Sequence, residues 1–118
     1  MLGLTSSHGV TGSASIDINK PVETVFSFIA VDFFENYPRW SPKVQESELL
    51  SAPPLQLNSL VRQVRIDQKQ HSESTFKITS YQIGRKLVFE GVSNPYRCSY
   101  EFAAINPASQ TQITFTFE

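Results

Sequence analysis

The sequence predicts an α+β domain, a curved antiparallel sheet of about seven strands with two short helices after the first strand. This prediction rests on three observations. The apolar pattern changes from a strand's alternation to a helix's stripe near Pro21 and returns to alternation beyond Pro42. Turn signals at Ser51-Ala52-Pro53-Pro54, Gly84-Arg85, Asn94-Pro95 and Asn106-Pro107-Ala108-Ser109 separate the later strands at hairpin spacing. The only Trp, Trp40, stands between Pro38 and Pro42, directly after the helical stripe. A chain of 118 residues is one domain by size and buries roughly two-thirds of the surface its unfolded form exposes. That domain is expected over residues 14–118, with the Gly-, Ser- and Thr-rich residues 1–13 as a flexible N-terminal arm.

Taken in order, Ala14, Ile16 and Ile18 alternate with Ser15 and Asp17, as in a half-buried strand. Pro21 and Glu23 then supply a first-turn proline and a first-turn acid, both favourable at a helix start. Val22, Val25, Phe26 and Ile29 form one helical stripe facing one core. Asp32 is placed to cap a second short helix that runs to about Tyr37 and is stopped by Pro38. Proline fixes φ, removes a donor and disfavours the α region for the residue before it, so Trp40 is expected on a turn outside regular helix. A large rigid ring held there plugs one end of a core or lines a cavity mouth, and the two roles are compatible.

Val44–Leu50 reads as the first return strand. Leu60, Val64 and Ile66 then alternate with Val61, Gln63 and Arg65, which assigns Arg62 to the more apolar face. In Gln70–Tyr81, Phe76 and Ile78 share one face and Thr75, Lys77 and Thr79 the other. Lys86–Val92 follows, then Tyr96–Ile105 with Tyr96, Cys98, Tyr100 and Phe102 on a common face. Ile113, Phe115 and Phe117 alternate with threonines at the end. Consecutive hairpins of this kind form one antiparallel sheet with an apolar face that needs covering.

Composition narrows the function classes. The formal charge of −1 and the lack of any Lys/Arg tract argue against a nucleic-acid partner. The single Cys98 forbids an intramolecular disulfide and leaves no thiolate set for a metal, and no H-x-x-x-H or D-x-D spacing replaces one. A Gly-rich phosphate loop and a G-x-S-x-G elbow are missing, so no cofactor is expected. No secretory leader and no apolar run of bilayer length are legible, which leads to the expectation of a cytoplasmic protein with no integral membrane segment. For catalysis a base and an acid must lie within reach of each other. His8 falls in the arm, His71 is expected near a strand start at an exposed hairpin, and a lone strand Cys is usually a small buried hydrophobe, so the reading leans away from an enzyme.

The segment Ile16-Asp17-Ile18-Asn19-Lys20-Pro21-Val22-Glu23-Thr24-Val25-Phe26, followed by Asp32 and then Pro38-Arg39-Trp40-Ser41-Pro42, resembles the polyketide cyclase/dehydrase and lipid-transport group of the START-like (SRPBCC, Bet v 1-type) superfamily. Ile78-Thr79-Ser80-Tyr81 with Arg85-Lys86-Leu87-Val88-Phe89, and the strand Thr111–Phe117, are similar to the later strands of that group. The resemblance implies a helix-grip fold whose long C-terminal helix covers an apolar cleft. This sequence ends at Glu118, short of that helix, so either the sequence is a truncated piece or the open sheet face is covered by self-association, and a homodimer or other homo-oligomer is expected. The resemblance implies a small hydrophobic ligand (lipid, isoprenoid, quinone or polyketide-like) in that cleft, and the residues expected to bind it are Trp40, Arg62, Phe76, Phe89, Tyr100 and Phe115. Arg62 would anchor a carboxylate or phenolate through its planar fork, against the commoner outcome that such an Arg pairs with an acid, for which Glu90 is the candidate. Tyr81, Tyr96 and Tyr100 are candidates to place hydroxyls in the cleft. The alternatives are a cyclase or aromatase in which a Tyr or His71 shuttles a proton, and a protein-docking module using the open face.

Overall fold

Alternating segments become strands and the apolar stripe becomes helix, in the order expected. The computed structural model describes residues 12–92, 95–106 and 108–118. Its elements are β1 (Gly12–Ile18), α1 (Val22–Phe26), a π-helical turn (Ser27–Val31), α2 (Phe33–Trp40), β2 (Val44–Leu49), β3 (Leu60–Asp67), β4 (Gln70–Gln82), β5 (Lys86–Gly91), β6 (Arg97–Asn106) and β7 (Gln110–Phe117). The seven strands form one antiparallel sheet in the order β1-β7-β6-β5-β4-β3-β2. β1 starts at Gly12 and so takes up the last two residues of the expected arm, whereas His8 and the rest of that arm lie outside the described residues. No helix among the described residues is long and apolar enough to cross a membrane.

The helices cover the inner face of the sheet. Val25, Phe26, Ile29, Ala30, Phe33 and Tyr37 are buried there against Val61, Phe76, Ile78, Leu87 and Phe89. Phe33 sits at the centre with no exposure, stacked on Tyr37 at 4.4 Å and edge-on to Phe76 and Phe89 at 6.1 and 6.3 Å. Asp32 does precede α2, but its side chain makes no capping bond; its own N–H closes the π turn onto Ser27 O at 2.9 Å.

Two local expectations are corrected. α2 does not stop at Tyr37: Pro38 lies inside it and Trp40 is its last residue, so Trp40 is presented from a helix end. Phe33, Tyr37 and Trp40 recur at the spacing of one helical stripe, and their packing on Phe76 and Tyr100 of the sheet holds the last turn helical although Pro38 denies Phe34 O its usual partner. Pro38 itself faces solvent, and Ser41 N resumes the ladder by donating to Tyr37 O at 3.0 Å.

The second correction concerns β3. Val61 and Gln63 are the buried residues of that strand, Leu60 is exposed and Arg62 is on the outer face. The β3–β4 hairpin turns through Gln68 and Lys69, both at positive φ, which pairs Asp67 with Gln70 and therefore Val61 with Phe76. Since Phe76 faces the core, Val61, Gln63 and Arg65 must face it too; side-chain period two leaves no other choice.

Candidate functional site

Two adjoining cavities open on the inner face beside Trp40. The first, of about 500 Å³, is walled by α2 and strands β3 to β7, with Tyr37, Gln63, Arg65, Tyr96, Cys98 and Tyr100 prominent in its lining. The second, of about 510 Å³, lies toward β1, between Ile16, Ile18, Phe28, Trp40, Ile113 and Phe115. Ser41, Tyr100 and Phe115 belong to both. At their junction Trp40 Nε1 donates to Tyr100 Oη at 3.2 Å, with the two rings edge-on at 6.3 Å.

The wall of the first cavity is polar in an ordered way. Tyr37 Oη donates to Gln63 Oε1 at 2.8 Å, and Gln63 Nε2 faces Tyr96 Oη at 3.3 Å and Ser74 Oγ at 3.4 Å. Gln63 is only 3% exposed, a burial its amide tolerates because both ends are hydrogen-bonded. Arg65 is half-buried and donates from Nη1 to Ser41 Oγ at 3.4 Å. Burial pushes the Tyr37 and Tyr100 hydroxyls far above the ordinary tyrosine range, and the Cys98 thiol up to about 11, with the positive charge of Arg65 opposing each rise. These groups are therefore neutral hydrogen-bonding groups near pH 7.

Of the residues expected to bind ligand, Phe89, Tyr100 and Phe115 line the first cavity, and Trp40 joins Tyr100 and Phe115 in the second. Phe76 has no exposure; it stacks on Phe89 at 4.2 Å and forms core beneath the cavity floor. Arg62 is on the wrong face for an anchor. Its Nη1 donates to Glu46 at 2.9 Å and lies 3.6 Å from Glu48, and its Nε is bound by Glu73. The commoner fate of such an Arg, pairing with an acid, is thus what occurs, with Glu46, Glu48 and Glu73 rather than Glu90, which sits across from Lys77 and Arg97. These carboxylates raise the guanidinium's pKa further. Tyr96 does reach the first cavity, whereas Tyr81 packs edge-on against Phe26 at 5.7 Å.

His71 is exposed at the start of β4 and touches neither cavity. Among the described residues the only carboxylate at either cavity is that of Glu73, which Arg62 holds. Among the described residues no His, Cys, Asp and Glu cluster of metal-binding size occurs. Sequence reading missed Tyr37, Gln63 and Arg65 as cavity residues. The signal that finds them is non-local: a two-residue turn after Asp67 carries the facing of Phe76 onto Val61 and hence onto Gln63 and Arg65.

Residues 10–118 match the model of a family described as polyketide cyclase / dehydrase and lipid transport. A search of curated protein sequences finds no match. Among solved structures, a START superfamily protein from Mycobacterium smegmatis aligns with a TM-score of 0.71 at 17% identity, over 93% of this chain and 77% of the other. The Zhui aromatase/cyclase of Streptomyces sp. R1128 aligns with a TM-score of 0.76 at 15% identity, over 92% of this chain and 66% of that enzyme. Ginseng major latex-like protein 151 from Panax ginseng gives 0.65 at 12% identity, over 93% and 80%. At these identities the likeness carries the fold, which is helix-grip, and nothing finer.

Proposed function

The chain belongs to the polyketide cyclase / dehydrase and lipid transport family, and from that premise we propose that it binds a small hydrophobic molecule, of lipid, isoprenoid, quinone or polyketide-like type, in the cleft on the inner sheet face. The supporting observation is the pair of adjoining cavities joined at Trp40 and Tyr100, each of about 500 Å³. Sites for small molecules run about 300–1,000 Å³, mostly apolar with a few placed polar groups. Affinity would come from burial of apolar surface, at about 25 cal/mol per Å². Ring faces from Phe89, Trp40 and Phe115 supply that surface, and Tyr100 and Gln63 supply orientation.

Cyclase chemistry of the kind named for the Streptomyces relative is the weaker reading. It needs a group that exchanges a proton near neutral pH inside the cleft, and burial holds the Tyr37 and Tyr100 hydroxyls protonated there. Self-association is favoured by one specific feature. Ile16, 62% exposed, and Phe28, 40% exposed, border the second cavity and leave an apolar rim that a second copy would cover.

Native mass spectrometry of the gently purified protein, followed by denaturing extraction, tests both readings in one spectrum. The expected result is a dimer carrying a stoichiometric apolar adduct. An adduct-free protein that also fails to enhance the fluorescence of N-phenyl-1-naphthylamine, a neutral apolar probe, overturns the binding reading; a monomer mass at micromolar concentration overturns the dimer.

A further inference from the structure

Among the described residues Arg65 is the one Lys or Arg that lines either cavity, and it is in no ion pair, while residues 1–11, 93, 94 and 107 contain no Asp or Glu. Its one side-chain bond among the described residues, to Ser41 Oγ at 3.4 Å, occupies one of five donors. The contrast with Arg62, three residues back on the outer face, is plain: that guanidinium is surrounded by Glu46, Glu48 and Glu73. Arg65 is half-buried and shares the cavity lining with Tyr96, Cys98 and Tyr100, and a carboxylate-like anion is the group that would answer its charge, through a bidentate fork. Ser72 stands directly across the ladder from Arg65, and Tyr96 Oη is nearby on the same wall, so hydroxyl donors flank the charge.

The other cavity has the opposite character. Ile16, Ile18, Phe28, Ile113 and Phe115 present hydrocarbon, with Ser41 and the Trp40–Tyr100 hydrogen bond marking the passage from the polar wall.

Resting on the cleft reading above, we infer that the ligand is an amphipathic organic acid: its anionic group meets Arg65 in the first cavity, and its apolar body runs past Trp40 and Tyr100 into the second. Arg65 thereby selects acids over neutral molecules of the same shape, the role the strand pattern alone assigned to Arg62.

Titration with the fluorescent fatty acid cis-parinaric acid and with its methyl ester, on the wild type and on Arg65→Gln and Arg65→Lys, tests this. The wild type is expected to bind the acid more tightly than the ester. Arg65→Gln should weaken the acid by about 10-fold or more while leaving the ester within about 2-fold, the loss of a charge-assisted contact. Arg65→Lys should recover part of the difference, and thermal melts of both variants report folding separately. If Arg65→Gln changes acid and ester equally, or neither, the anchoring role is overturned and the cleft stands. A wild type that binds neither compound overturns the cleft itself.

Discussion

Gln63 shows how one residue builds the polar wall. Its amide links Tyr37 on α2 to Tyr96 and Ser74 on the sheet, so the wall's shape depends on a side chain that hydropathy would place outside. Replacing it with Leu orphans the Tyr37 hydroxyl, which is buried, and is expected to cost about 1–3 kcal/mol in chemical denaturation. Adding Tyr37→Phe in that background should recover most of the loss, because removing both partners is far cheaper than removing one; an additive double variant would refute the coupling. At this scale Tyr100 and Phe115 were legible from the sequence, since their strands gather the aromatic residues on one face. Arg65 was not, because both faces of β3 mix apolar and charged residues and the more apolar of the two turned outward.

At the scale of elements, the β3–β4 hairpin decides that facing. Its two turn residues, Gln68 and Lys69, have φ of 49° and 68°, a left-handed conformation that residues with a Cβ adopt at a cost. The double substitution Gln68→Asn, Lys69→Gly supplies residues suited to it and is expected to stabilise by about 1 kcal/mol. In a melt this corresponds to a Tm rise of about 3–5 °C with ligand affinity unchanged. A fall in Tm would show that the present side chains contribute contacts worth more than the backbone strain. Gly84 adopts φ of 72° at the turn before β5, in line with the turn read there from the sequence. α2 is the opposite case, an element whose local signal failed. Pro38 argues for a stop, yet the stripe of Phe33, Tyr37 and Trp40 keeps the chain helical through Trp40, and so aims the indole at Tyr100.

For the whole molecule, stability and site share one aromatic stack. Phe33 touches rings on α2, β4 and β5 and couples the helical layer to the sheet that carries the cavities. Phe33→Ala is expected to cost about 3–5 kcal/mol, a large part of a domain stability of about 5–15 kcal/mol, with the loss read as a lowered denaturation midpoint. A loss below about 1 kcal/mol would mean that the layers are held together elsewhere. The sequence by itself determined the order of strands and helices, the turns between most of them, and the inward faces of β4, β6 and β7, because alternation and turn chemistry are written in neighbouring residues. Only the tertiary structure decided that Trp40 ends a helix, that Arg62 pairs outside and that Arg65 enters the cleft. Those outcomes depend on the β3–β4 register and on burial between segments far apart in the chain, where packing outweighs local preference.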